Sequence, residues 1–117
     1  MEDNVKYMLQ IIGFRDATFE EGGGPTAEAF MSWQASMVDA GVLVDGGFLE
    51  DHELATSVQV DPAGEQVITN GPFPETREYL GGWVIVDVPD LDAALGWATR
   101  SPGARYGRVE VRPVAGF

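Results

Sequence analysis

The alternation of apolar and polar residues predicts β-strands over much of the chain. Val5–Phe14 alternates with period two, as expected of a strand whose two faces are packed differently. The same alternation, or a short apolar run bounded by turn residues, predicts further strands over residues 41–49, 54–60, 65–69, 81–88 and 105–114. The sequence Asp-Pro-Ala-Gly at residues 61–64 is typical of the turn between two paired strands.

Two segments have the period of an α-helix instead. Residues 27–40 place Phe30, Trp33 and Met37 on one stripe, and residues 91–100 carry a similar apolar stripe. The element order is therefore β-α-β-β-(β)-β-α-β within a single domain that spans residues 1–117. This order predicts an α+β, ferredoxin-like antiparallel sheet with two helices on one face.

The sheet face away from the helices is predicted to be apolar as well. Tyr7, Leu9 and Ile11 of the first strand, together with Trp83 and Ile85, are assigned to that face. A monomer would leave these side chains in water, and apolar faces of that size usually mark association. We therefore expect a homodimer packed sheet to sheet.

Composition and charge narrow the function classes. Hydrophobic residues make up 44% of the 117, enough for a core, and the net charge is −12 at pH 7. This charge repels phosphate backbones and anionic lipids, so we expect no nucleic-acid and no membrane partner. The absence of cysteine excludes disulfides and thiolate chemistry. The lack of a signal-peptide pattern favours a cytoplasmic protein.

The stretch TNGPFPETREYLGGW, residues 69–83, is longer than a chain reversal needs. Asn70-Gly71 is a strong signal for a two-residue hairpin turn. Pro72 follows directly and cannot donate the hydrogen bond of a returning strand, so the connection must be longer. Because irregular connections in small domains often carry function, Asn70 and the residues after it are candidate site residues.

Two interpretations of this loop stay open. Phe73 is expected to be buried and to anchor the loop. In the first interpretation, Glu75 and Arg77 only tether the loop across the end of the sheet. In the second, the same two residues form the polar rim of a ligand-binding cleft whose floor is Tyr7 and Trp83.

The chain resembles the YCII-related proteins and, within them, the DGPF group, which is named for an Asp-Gly-Pro-Phe loop. The resemblance is carried, in the family's order, by KYML, AGVLVDGGFL, VITNGPFPETREYLGGWVIVDVPDLDAALGWA and GRVEVRPV. It implies a ferredoxin-like fold and a homodimer of the dimeric α/β-barrel type. It also implies a functional link to a sigma factor, because DGPF proteins are often encoded beside, or fused to, alternative sigma factors.

The sequence departs from the family pattern where the chemistry is expected. The resemblance implies a His–Asp pair in a cleft and, for one activity of the wider superfamily, dehydrochlorination of a hydroxylated aromatic. This chain has Asn70 in place of the group's Asp and no histidine in the first helix. It also has Ser101-Pro102 where the family has Asp-Pro. The His–Asp chemistry is therefore not assigned to any residue here.

The remaining candidates are interpreted as structural. His52, the only histidine, lies among acidic residues and is expected to be a solvated loop residue that function does not need. Asp87, Asp90 and Asp92 lack the spacing of an EF-hand. With one histidine and no cysteine, we expect no bound metal and no cofactor.

Two functions fit these observations. The first is a small-molecule-binding or regulatory homodimer without an established reaction, with candidate ligand-binding residues Tyr7, Asn70, Phe73, Glu75, Arg77 and Trp83. The alternative is a cofactor-independent enzyme of the lyase or isomerase kind, acting on a small aromatic or conjugated substrate. In that case Glu75 acts as the base and Arg77 stabilises a developing anion.

Overall fold

The computed structural model describes residues 3–19, 23–71 and 76–116. In chain order, its elements are β1 (Val5–Phe14), α1 (Ala27–Asp39), β2 (Leu43–Phe48), a 3₁₀ turn (His52–Leu54), β3 (Thr56–Val60), β4 (Gln66–Asn70), β5 (Glu78–Val88), α2 (Leu91–Thr99), α3 (Pro102–Tyr106) and β6 (Arg108–Pro113). The strands and the two longer helices overlap the segments that the sequence periodicity predicts.

Side-chain caps determine where the two longer helices begin. Thr26 Oγ1 accepts a hydrogen bond from the Ala29 backbone N–H (3.1 Å), and Asp90 Oδ1 accepts one from the Ala93 N–H (2.9 Å). The chain leaves α1 through Gly41, whose φ of +72° is accessible to glycine without strain. These boundaries are therefore encoded locally, next to the apolar stripe of each helix.

Four strands form one antiparallel sheet in the order β2-β5-β1-β6. Helices α1 and α2 pack on one side of the sheet, and the core lies between the sheet and these helices. This arrangement confirms the predicted ferredoxin-like α+β fold. In the described part of the chain, β3 and β4 pair with each other alone and form a separate two-stranded hairpin.

The core is a single layer between sheet and helices. Leu9, Val84 and Val86 of the two central strands are fully buried, together with Met37 of α1 and Ala94 of α2. Full burial of a side chain such as leucine or valine contributes about 1.5–3 kcal/mol to stability. We call the side of the sheet under the helices the covered side and the opposite side the bare side.

The structure corrects the predicted assignment of sheet faces. The core contains three residues that the sequence assigned to the face away from the helices: Tyr7, Leu9 and Ile11. In an antiparallel pair, directly opposite residues share a side, and Met8 is opposite Ile85 while Gln10 is opposite Trp83. Trp83 and Ile85 therefore lie on the bare side, as predicted, but their neighbours there are Met8 and Ile12.

A short helix that the sequence pattern did not predict precedes the last strand. Ser101 Oγ caps α3 by accepting a hydrogen bond from the Gly103 N–H (3.1 Å), and β6 begins at Arg108 rather than at residue 105. Across the described residues, no helix is both long enough and apolar enough to cross a membrane.

Candidate functional site

A β-bulge near the start of β5 changes which way its side chains point. Gly82 and Leu80 pair with consecutive residues of β1, Ile11 and Ile12, so Gly81 between them has no partner. The bulge therefore shifts the alternation of β5 by one residue at this end of the sheet.

Tyr79 is the residue that the bulge turns to the covered side. It lies opposite Gly13 of β1, and a Cβ atom at residue 13 would lie only 2.5 Å from the Tyr79 ring. Any larger residue at that position would displace the ring. Gly13 and the bulge together thus determine the place of the Tyr79 side chain.

The His52 ring stacks on the Tyr79 ring, with centroids 4.3 Å apart and planes at 16°. Its Nδ1 lies 3.5 Å from Asp51 Oδ1, and its Nε2 lies 3.6 Å from Glu53 Oε1. Only 22% of the His52 side chain is exposed, so the interpretation as a solvated loop residue is wrong. Nothing in the structure tests whether function needs His52, but its place beside the Tyr79 ring is the reason that the proposals below give it a role.

Three pairs of rings surround one cavity on the covered side. Phe30 of α1 contacts Phe48 at the end of β2 with centroids 5.2 Å apart, and Phe19 contacts Tyr106 of α3 edge to face at 5.5 Å. With the stacked histidine and tyrosine, these rings line a cavity of about 240 Å³. We call this cavity the aromatic pocket.

Arg15 lies between the aromatic pocket and a polar groove. Its Nη1 donates to the Thr76 carbonyl (2.8 Å), and its Nη2 lies 3.9 Å from Glu53 Oε1. The side chain lines the pocket and also the groove of about 350 Å³, whose lining includes Asp16 and Arg77. A cation thus lies at the border between the aromatic pocket and the polar groove.

An apolar groove lies on the other side of His52. Leu49, Leu54 and Leu80 line it, and its volume is about 460 Å³. We call it the outer groove. Because His52 and Tyr79 line both the outer groove and the aromatic pocket, the stacked pair separates the two cavities.

The structure does not bring the predicted cleft floor together. Tyr7 is buried in the core on the covered side, whereas Trp83 lies opposite Gln10 on the bare side. Since successive residues of a strand point to opposite sides, these two rings cannot form the floor of one cleft. The predicted arrangement is therefore wrong, and ligand binding by either residue alone stays a prediction.

The predicted loop residues are placed only in part. Arg77 Nη2 lies 2.7 Å from Asp16 Oδ2, and 81% of the Arg77 side chain is exposed, which favours the tether interpretation. Asn70 ends β4, opposite Thr56 at the start of β3. The expectations for three residues fall outside the described part of the chain: Pro72, Phe73 and Glu75.

The aromatic pocket is built from residues that the sequence did not mark as a site: Phe19, Phe30, Phe48, Tyr79 and Tyr106. One signal was available, because the pair Gly81-Gly82 inside an apolar strand is typical of a bulge. No sequence signal indicates that these rings pack around one cavity. They come from separate elements that only the tertiary fold brings together.

An ion-pair network lies on the bare side at the same end of the sheet. Arg108 donates to both carboxylate oxygens of Glu78 (3.1 and 2.8 Å) and to Glu110 Oε1 (2.8 Å). The hydrogen bonds from Arg108 lower the pKa of the Glu78 carboxyl, and those to Glu78 and Glu110 raise the pKa of the Arg108 guanidinium. The network therefore favours a charged Glu78, which does not suit a proton donor.

The chemistry available in the aromatic pocket is that of His52, Tyr79 and Arg15. An imidazole can transfer a proton, a phenol can donate a hydrogen bond, and a guanidinium can bind an anion. Within residues 3–19, 23–71 and 76–116, no group of three or more histidine or carboxylate side chains is placed to hold a metal ion.

A model of the YCII-related domain matches residues 6–117. A segment of 55 residues is 44% identical to an uncharacterized protein of Rhizobium meliloti (strain 1021), and the match covers 45% of this chain and 44% of that relative. The chain thus spans less than half the length of this relative. Neither the family description nor the relative's name specifies a reaction or a ligand.

Proposed function

The chain belongs to the YCII-related family, and from this premise we propose that it is a small-molecule-binding homodimer whose ligand occupies the aromatic pocket. The observation that carries the proposal is the meeting of three ring pairs around one cavity. Mainly apolar cavities with a few converging polar groups are the usual form of ligand sites.

The cavity restricts the class of ligand. Its volume of about 240 Å³ lies below the roughly 300–1,000 Å³ of pockets for drug-sized molecules, so the ligand is small. Aromatic walls favour a planar, conjugated body. Arg15 and His52 favour a carboxylate or another hydrogen-bond acceptor at one end. A small aromatic acid or phenol satisfies all three conditions.

Three probes test this site: benzoate, 4-hydroxybenzoate and the non-planar cyclohexanecarboxylate, with affinities from ligand-observed NMR. We expect the two planar probes to bind more tightly. Ala17→Trp should weaken their binding by about tenfold or more, because Ala17 lines the pocket and the indole would fill it. Ala115→Trp, in the exposed C-terminal segment, is the control. Equal affinities for all three probes and for both variants would show that the ligand does not bind in the aromatic pocket.

A second candidate function, a cofactor-independent enzyme acting on a small aromatic or conjugated substrate, is favoured by the position of His52. Its imidazole lines the pocket and has a carboxylate oxygen 3.5–3.6 Å from each nitrogen. Such a placement suits proton transfer to or from a bound substrate. The roles predicted for Glu75 as the base and Arg77 as the anion-stabilising group stay predictions, and the described residues add His52 and Arg15 as candidates for these two roles.

Proton transfer by His52 has a direct test with resorcinol as the probe. In D₂O, a general base should accelerate exchange of the ring protons beside the hydroxyl groups, which NMR follows without knowledge of the natural reaction. Exchange should fall to the buffer rate in His52→Gln and persist in Glu50→Gln, a charge-removing change in the same loop. Exchange at the buffer rate with the unmodified chain would contradict the enzyme candidate and leave the binding proposal intact.

The homodimer part of the proposal is supported by the bare side of the sheet. Met8, Ile12, Trp83 and Ile85 are partly exposed there, with no helix over them in the described structure. A second copy packed sheet to sheet would cover these side chains and produce a dimeric α/β-barrel. A regulatory role, a link to a sigma factor and a cytoplasmic location stay predictions.

A further inference from the structure

The hairpin of β3 and β4, residues 56–70, forms an arm beside the main sheet. Its strands pair Val58 with Ile68 and Val60 with Gln66 on one side, while Ser57 pairs with Thr69 on the other. Val58, Val60 and Ile68 are 59–61% exposed. An isolated two-stranded hairpin is at best marginally stable in water, so this arm needs a surface to pack on.

The ten strand residues of the arm, TSVQV and QVITN, contain no charged residue. This is unusual in a chain with 19 acidic and 7 basic residues. Exposed strand edges are normally protected by lysine, proline or inward-pointing charges, and the centres of protein interfaces are depleted of charge. Two copies that each carry a net charge of −12 repel one another, and the uncharged strands of the arm allow contact without adding to that repulsion.

The exposed area is large enough for a stable dimer. The chain exposes 8039 Å², whereas a compact monomer of this mass would expose about 6,200 Å². Its radius of gyration is 16.5 Å, against about 13 Å for a compact chain of this length. The excess of roughly 1,800 Å² lies in the range that one subunit of a permanent dimer buries.

We propose that the arm of each protomer packs its Val58, Val60 and Ile68 side on a second copy of this chain and is seated in that copy's outer groove. The groove is apolar along Leu49, Leu54 and Leu80, and it lies at the root of its own arm, since Ala55 and Ser57 also line it. A two-fold axis therefore brings each arm beside the root of the other, and the contact is the same in both directions.

This contact goes beyond sheet-to-sheet packing and has a consequence for the ligand site. The outer groove shares His52 and Tyr79 with the aromatic pocket. An arm seated in the groove covers the outer face of that stacked pair. Each protomer thereby completes the wall of the pocket in its partner.

Two double variants with the same change in charge test the arm. Val58→Asp with Ile68→Asp places a cross-strand pair of charges on the proposed contact side, and Gln59→Asp with Val67→Asp places one on the opposite side. Sedimentation velocity gives the dimer dissociation constant, and far-UV circular dichroism confirms that both variants fold. We expect the dissociation constant to rise by about 100-fold or more for the variant with Val58→Asp and Ile68→Asp. For the variant with Gln59→Asp and Val67→Asp we expect a rise of less than about threefold.

A third variant separates this contact from the sheet-to-sheet interface. If Ile85→Asp dissociates the dimer while both arm variants keep it intact, the arm proposal fails and the sheet interface stands. Equal weakening by both arm variants also overturns the proposal, because the contact would then not be specific to one side. Loss of the dimer in the contact-side variant alone supports it, and Leu54→Asp in the outer groove should then reproduce that loss.

Discussion

The two sides of the four-stranded sheet are both apolar at their centre, yet the described part of the chain covers only one of them. On the covered side Leu9 and Val84 are opposite one another and fully buried. On the bare side the next pair, Met8 and Ile85, is partly exposed. The residue types are similar, and what differs is that α1 and α2 lie over the first pair.

The charged residues show the same contrast. β6 turns Val109 and Val111 toward the core and places Arg108, Glu110 and Arg112 on the bare side. The covered side thus serves folding, and the bare side combines an apolar centre with a charged border, as interfaces between subunits often do. Substitutions on the covered side should therefore affect folding, and substitutions on the bare side should affect dimer formation.

The largest effect should come from the covered side. Leu9→Ala removes a fully buried side chain and should lower the free energy of unfolding by about 3 kcal/mol. Met8→Ala, its neighbour on the bare side, should cost less than half as much in the monomer. Urea denaturation in the Ile85→Asp background, which is expected to be monomeric, measures both. Equal losses of unfolding free energy in the two variants would show that the covered and bare sides are packed alike.

The next effect should appear in assembly rather than in folding. Ile85→Asp puts a charge on the bare side and should raise the dimer dissociation constant by about 100-fold or more, because the charge would be buried without a partner. Met31→Asp, at a residue of α1 that is 65% exposed, is the matched control and should leave the dimer unchanged. Sedimentation velocity measures both. A dimer that tolerates Ile85→Asp would place its interface elsewhere.

A smaller effect concerns the helices that make the covered side. Trp33 Nε1 donates to the Trp97 carbonyl (3.0 Å) and links α1 to α2. Trp33→Phe removes this bond and should lower the free energy of unfolding by about 1–2 kcal/mol. Trp97→Phe keeps the accepting carbonyl and is the control. Thermal unfolding with calorimetry compares them, and a neutral Trp33→Phe would mean that packing alone holds the helices.

The smallest effect should come from the ion-pair network of the bare side. NMR titration should give Glu78 a pKa below the ordinary glutamate value, because Arg108 donates to its carboxylate. The stability from this pair is present above the ordinary carboxyl pKa and is lost as pH falls through the lowered pKa of the folded state. The pair is exposed to solvent, so the loss should be slight.

Arg108→Gln should return the Glu78 pKa toward the ordinary value. Arg100→Gln removes a guanidinium that lies over the Trp97 ring, away from Glu78, and should leave the Glu78 pKa unchanged. A Glu78 pKa that does not respond to Arg108→Gln would show that these two side chains are not paired in solution.

Much of the fold was predictable because its signals are local. Period-two alternation marks the strands, and Thr26 and Asp90 cap the helices directly before their apolar stripes. Alternation also shows which residues of a strand share a side. It does not show which side the helices cover when both sides are apolar, and this is why Tyr7 was assigned to the wrong side.

The candidate site was harder to predict because it depends on contacts between distant segments. The bulge at Gly81 reverses the direction of Tyr79, and Gly13, distant in sequence, makes room for its ring. His52 has acidic neighbours in sequence that suggest full solvation, but its partner in stacking is Tyr79. Neither contact follows from the composition of the segments that make it.

A second copy is expected to cover what the described part of the chain leaves bare, namely the sheet side with Ile85 and the uncharged strands of the arm. Sedimentation velocity of the unmodified chain across the micromolar range tests it most directly. The predicted result is a species of twice the 12.6 kDa chain mass, with dissociation only at the lowest concentrations. A species of 12.6 kDa at every concentration would contradict the claim.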